Sequence, residues 1–249
     1  HHAPLLLLHD PLRCQVHGAE TIARVAAGAV ACKLLAHYGI TVTAYVKSIG
    51  EFEIDPKRFD LSERNNNSLN MPDKVAAEET AEFLERMIAA QDSVGGVVEC
   101  LVDGMPVGVG EPVFDKLDAS LARAIMSIGA VKGFEIGDGF AAAKALGSQN
   151  NDEFYVDAYG KVVKKTNHAG GILGGMSDGS QIVLRAAFKP TPSIAQPQKT
   201  ANNHGENVEI AIKGRHDPVV VPRAVVVVEA MTALTIADLL LMGKNAKLD

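Results

Sequence analysis

Between Glu20 and Tyr38 small and apolar residues recur at helical spacing, and directly after Gly39 the chain changes to ITVTAYVKSIG, where β-branched residues alternate with others. A helix that ends near a glycine and feeds a strand commits the chain to a mixed architecture. The pattern continues downstream. Ser62 to Pro72, with Asn65, Asn66 and Asn67, reads as a polar loop. Asp73 then caps a helix running through about Ala90, with Glu78, Glu79, Glu82 and Glu85 on its wet side. Gly95 to Val102 reads as a strand, Lys116 to Ile128 as a helix, the glycine-rich block 168–179 as a loop and Gln181 to Phe188 as a strand. Val226 to Met242 is two-sided: VVVV favours a strand, the following Ala, Met and Leu a helix, and a helix starting near Pro222 is preferred. No fixed-period repeat or linker stands out, so residues 1–249 are expected to form one domain.

The 249 residues are 47% hydrophobic and 22% charged, enough for a sizeable core. The formal net charge of −6 gives no global basic field, and 5% aromatic content with no Trp offers no stacking platform, so nucleic acid is not an expected partner. An anionic ligand would have to be held by local Arg and Lys. Cys14, Cys32 and Cys100 share no metal or redox spacing, which suggests reduced thiols in a cytoplasmic protein. PLLLLHD is too short for a signal segment, and no membrane-length apolar stretch is expected after it.

The densest chemistry lies in KGRHDPVVVPRA, Lys213 to Ala224. Arg215 offers a planar fork suited to phosphate or carboxylate, and Asp217 either orients that fork or accepts a proton; the alternative is a surface turn with an ordinary ion pair. Gly170, Gly171, Gly174, Gly175 and Gly179 let main-chain N–H groups approach a ligand closely, or simply build a tight turn between strands. In KPTPS, Lys189, Thr191 and Ser193 flank rigid prolines and make a compact anion cradle. His168, His204 and His216 lack metal-ligand spacing, so no metal site is expected, and His168 is read as a hydrogen-bonding loop residue. Asp115 and Asp118 are read as caps and dipole partners of the helix that follows.

Five blocks together resemble the chorismate synthase family: ETIARVAAGAVA from Glu20, GEPVFDKLDASLARAIMSIGAVKGFEIGDGF from Gly110, NHAGGILGGMSDG from Asn167, FKPTPSIAQPQKT from Phe188, and the GRHDP string. The resemblance implies an α+β fold, a layered β/α sandwich in which two similar halves place helices against antiparallel sheets. It implies the loss of phosphate from 5-enolpyruvylshikimate 3-phosphate to give chorismate with reduced FMN, associates NADP with the same chemistry, and implies a homotetramer. Carried over position by position, it places FMN contacts at Gly129, Ala130, Gly174, Lys189, Pro190, Thr191, Pro192, Ser193 and Arg215, and Asp217 as a carboxylate that shuttles protons. Pro192 stands where the family has Ser, and Gly129 where some members carry Asn.

The resemblance weakens before Glu20. Gln15, Val16 and His17 stand where the family has Arg-Ser-Ser, and the family's Phe-Gly-Glu-Ser-His-Gly motif is not in these 249 residues. Residues 1–19 are therefore expected to diverge from the family pattern, and the chain reads as truncated or frame-shifted. The alternative to an enzyme is an inactive remnant that retains part of a flavin or phosphate surface.

Overall fold

The structure, a computed structural model, describes residues 11–212, 214 and 217–245. Helix α1, Pro11–His37, ends where Gly39 takes a φ of +74° and Ile40 donates back to the carbonyl of Leu35. Strand β1, Thr41–Ile49, turns into the short β2, Phe52–Glu53. A 3-10 turn over Leu61–Asn65 occupies part of the expected polar loop. Helix α2, Lys74–Ala89, starts on Asp73, whose carboxylate accepts from the amides of Val75 and Ala76, and its four glutamates face solvent as the sequence spacing implies.

Next come β3, Gly96–Asp103; α3, Leu117–Met126; β4, Val131–Ile136; and the single turn α4, Gly147–Asn150. Two hairpins follow: β5, Phe154–Val156, with β6, Val162–Lys164, and β7, Ile172–Leu173, with β8, Met176–Ser177. The second sits inside the glycine-rich block, where Gly174 and Gly175 at φ +62° and +88° make its tip, so that block is a turn between strands. Strand β9, Ile182–Phe188, precedes a hairpin of β10, Gln198–Ala201, and β11, Asn207–Ile210. Helix α5, Val221–Asn245, resolves the ambiguity of the VVVV run in favour of a helix.

The main sheet is antiparallel, in the order β2-β1-β3-β9-β4. Its two faces differ. Ala44, Val46, Val98, Cys100, Val102, Ile182, Leu184 and Ala186 are buried on the face covered by α5 and α1, with α3 packed beside α5 and against β4. Helix α5 offers Val221, Val225, Val228 and Ile236 to this core, a spacing that only a helix brings to one side. At the α1–α5 crossing a Cβ on Gly28 would lie 2.3 Å from the Cβ of Ala230, so glycine sets the approach of the two helices.

The absence of a membrane-length apolar stretch, expected from sequence, is corrected: Val221–Lys244 is long and apolar enough to cross a membrane. Its apolarity has a structural reason, because one side is fully buried against the sheet and another against α1 and α3. Glu229 breaks the run and accepts from the Ala44 amide at 3.0 Å and from Arg64 Nη2 at 2.9 Å. Asp115 is not a cap: Lys116 holds the N-cap position of α3 without a side-chain bond, and the main-chain carbonyl of Asp115 accepts from the Glu111 amide. Asp118 does lie in the first turn, where its carboxylate accepts from the Ala119 amide.

Candidate functional site

Strand β9 delivers Phe188 to one end of the sheet, opposite Val131 of β4 and Gly96 of β3. The chain leaves that end as Lys189–Pro190–Thr191–Pro192–Ser193, and the turn that follows α3 arrives there as Gly129 and Ala130. The two segments join directly: the Lys189 amide donates to the Ala130 carbonyl at 3.0 Å. Ala130 has a φ of +70°, sparsely populated for a residue with a Cβ, which turns the chain sharply into β4. Lys189 is exposed and forms no ion pair with any described residue. Thr191 keeps its hydroxyl buried without a hydrogen-bond partner among the described residues.

Asp217 approaches from the C-terminal side. Its carboxylate pairs with Arg223 at the start of α5, and the neighbouring Pro218 carbonyl accepts from the Val94 amide at 2.8 Å. Seven predicted positions thus share one end of the sheet or reach it through the 93–95 turn: Gly129, Ala130, Lys189, Pro190, Thr191, Pro192 and Asp217, with Ser193 next in the chain. Gly174 does not join them. Its hairpin meets the opposite end of α3, where the Leu117 amide donates to the Gly175 carbonyl at 2.7 Å, so the length of that helix, about 15 Å, separates Gly174 from Gly129. Arg215, with Lys213 and His216, lies outside the described residues.

A second polar constellation, missed in the sequence, crosses the sheet face turned away from α5. Tyr45, Glu99, Arg185 and Glu135 are paired neighbours on β1, β3, β9 and β4. The Tyr45 hydroxyl bonds Glu99 at 2.5 Å, Arg185 Nε donates to Glu99 at 2.6 Å, and Arg185 Nη1 reaches Glu135 at 3.3 Å and the Gly137 carbonyl at 2.8 Å. Burial pushes Glu99 up, but the Tyr45 hydrogen bond and the charges of Lys47 and Arg185 outweigh it and hold the carboxyl below its ordinary value. Burial, then the Glu99 charge, drives the Tyr45 phenol well above its usual range. Tyr45, Glu99 and Arg185 of this ladder, with Asp138, Asn167 and Gln181, line a groove of about 440 Å³. The available signal was a single charge in the middle of each apolar strand, GVVECLVD and IVLRAAF.

Beside that groove His168 fulfils its predicted role as a hydrogen-bonding loop residue, its Nδ1 sharing a hydrogen bond with Asp138 at 2.7 Å. The loop that carries it is pinned by buried Asp152, which accepts from the amides of His168 and Ala169, from Thr166 and from Lys164. Lys164 also binds Asp178 at 2.8 Å.

A family model described as chorismate synthase matches residues 15–241, starting five residues before Glu20. The chain belongs to the chorismate synthase family. It is 61% identical over 232 residues to a chorismate synthase of Lachnospira eligens, and 51% identical over 225 residues to one of Synechocystis sp.. These alignments cover 93% and 89% of this chain but 63% and 62% of the relatives' length. A solved structure titled as the crystal structure of chorismate synthase superposes with a TM-score of 0.75 at 33% identity, covering 90% of this chain and 63% of that one. The α+β architecture expected of a chorismate synthase is therefore the observed one.

Proposed function

We propose that the end of the sheet formed by Gly129–Ala130, Lys189–Ser193 and Asp217 binds reduced FMN, in a protein that eliminates phosphate from 5-enolpyruvylshikimate 3-phosphate to yield chorismate. The observation that carries this reading is the Thr191 hydroxyl, buried and without a hydrogen-bond partner among the described residues, two positions from Lys189, which is exposed and in no ion pair with a described residue. A buried hydroxyl without a partner is costly in the free chain, and a ligand rich in acceptors satisfies both groups at once.

FMN fits this donor set, and when bound in reduced form it supplies transient electron donation for the loss of a ring hydrogen and a distant phosphate. Lys189 and, on sequence grounds, Arg215 hold anionic groups. Thr191 and Ser193 orient the ligand by hydroxyl hydrogen bonds, and Pro190 before Thr191 and Pro192 between the two stiffen the segment that carries them. Asp217, oriented by its contact with Arg223, takes and returns a proton. Gly174 serves the same cofactor only by way of a ligand or a neighbouring copy that reaches across the length of α3.

Supporting the assembly part of this reading, the outer side of the helical layer exposes Ile22 and Val30 of α1 and Val226 and Met242 of α5. A homotetramer covers such faces, and a cytoplasmic enzyme with free Cys32 and Cys100 fits the same picture. Family membership favours the enzyme over the remnant.

Fluorescence titration with FMN, followed by anaerobic assay of phosphate release and chorismate absorbance, tests the proposal. Binding that Lys189→Met weakens about tenfold, the size expected for one charge-assisted hydrogen bond, is the expected result. A chain that does not bind FMN removes the site; binding without phosphate release leaves the flavin surface and refutes the reaction.

A further inference from the structure

We infer that the turn 92–95, between α2 and β3, is a clamp that fixes the spacing of the two halves of the flavin site, with Ser93 as its positioning residue. The inference rests on the flavin reading above. Three consecutive residues make three different attachments. Ser93 Oγ donates to the Thr191 carbonyl at 2.7 Å, the Val94 amide donates to the Pro218 carbonyl at 2.8 Å, and Gly95 lies so close to β9 that a Cβ would sit 2.3 Å from the Phe188 carbonyl oxygen and 3.2 Å from Pro190 Cδ.

Both clamped segments are poor in donors of their own. Pro190 and Pro192 flank Thr191, and Pro218 follows Asp217, so neither stretch can align itself by a regular ladder of N–H bonds. Their positions must come from donors elsewhere, and the 92–95 turn supplies one to each. The turn is itself rigid: the Ser93 amide bonds the Asp92 carboxylate at 2.8 Å, the Asp92 amide returns to Met87 of α2, and the Gly95 carbonyl accepts from Gly50. Ser93 holds the Thr191 main chain by its carbonyl, while the Thr191 hydroxyl has no hydrogen-bond partner among the described residues. A second tie, Gln196 Nε2 to the Ala90 carbonyl at 2.7 Å, fastens the same segment to the end of α2.

The test compares the chain with Ser93→Ala and Ser93→Thr by FMN titration, amide hydrogen exchange and thermal melting. Ser93→Ala is expected to raise exchange across residues 191–196 and to weaken FMN binding about tenfold at an almost unchanged melting temperature, and Ser93→Thr, which keeps the hydroxyl, to restore both. A Ser93→Ala chain that binds FMN as tightly as the parent overturns the clamp. So does a loss of affinity that Ser93→Thr does not recover, since that marks a general structural defect. If the parent chain itself binds no FMN, the site proposal falls first and the clamp's role in it falls too; the two failures are thus told apart by the parent titration.

Discussion

The main-chain amide of Lys189 donates to the carbonyl of Ala130 at 3.0 Å, tying the exit of β9 to the turn that follows α3. Two stretches 59 positions apart in sequence meet there only because β4 and β9 are antiparallel neighbours. Ala130 reaches that bond through a left-handed backbone, φ +70°. Glycine adopts this conformation freely, whereas a β-branched residue is strained in it.

Ala130→Gly is therefore expected to keep or raise stability, by on the order of 1 kcal/mol, and Ala130→Val to lower it by at least as much. Denaturant titration of the three chains checks the order. Equal stability of the Val and Gly variants contradicts the argument.

The ladder across the open sheet face predicts a larger effect. Arg185→Ala leaves Glu99, which is 6% exposed, with Lys47 at 3.3 Å as its remaining cation and frees Glu135 as well. Removing one partner of a buried ion pair costs about 3–5 kcal/mol, and the partial exposure of Arg185 places this case at the lower end. Arg185→Ala with Glu99→Gln should recover part of the loss, and a thermodynamic cycle over these variants measures the coupling. Strict additivity rules the ladder out as a cooperative unit.

At the helix crossing, Gly28→Val is expected to separate α1 from α5, because its first added carbon already overlaps Ala230. Overpacking of this kind costs about 1–3 kcal/mol. Pairing it with Ala230→Gly should relieve much of the strain, and a melt of both variants decides the point.

Helix and strand periodicity made most elements legible: the switch at Gly39, the Asp73 cap and the β9 strand all follow from local chemistry that tertiary contacts then reinforce. Long-range pairing was not legible. Nothing local to Glu99 says that Tyr45 and Arg185 stand on either side of it, and nothing in KPTPS says that Ser93 holds it. Asp115 failed as a cap because Lys116, the residue after it, took the N-cap position. The site residues were placed by resemblance, and the structure gathers those near the end of β9 while leaving Gly174 a helix length away, a separation that sequence order conceals.

Acid stability tests the loop that carries His168. Burial pushes Asp152 up, but the amides of Ala169 and His168, the Thr166 hydroxyl and Lys164 outweigh it and hold the carboxyl well below its ordinary value; Asp178 is likewise held below by Lys164 and Ser180 against its burial. Both folded-state values lie under the unfolded one, so their stabilisation is fully present above the ordinary carboxylate range, about pH 4, and is lost as pH falls through the depressed values. The Lys164 side chain is 3% exposed and is the cation common to both. Lys164→Met removes it, which should lower stability near neutral pH by about 3–5 kcal/mol and let both carboxyls protonate at higher pH. Melting temperature measured from about pH 2 to pH 7 should then show the acid limb of the variant displaced upward in pH and reduced in height. Two curves that run parallel over the whole range would mean that Lys164 does not set the protonation of Asp152 and Asp178.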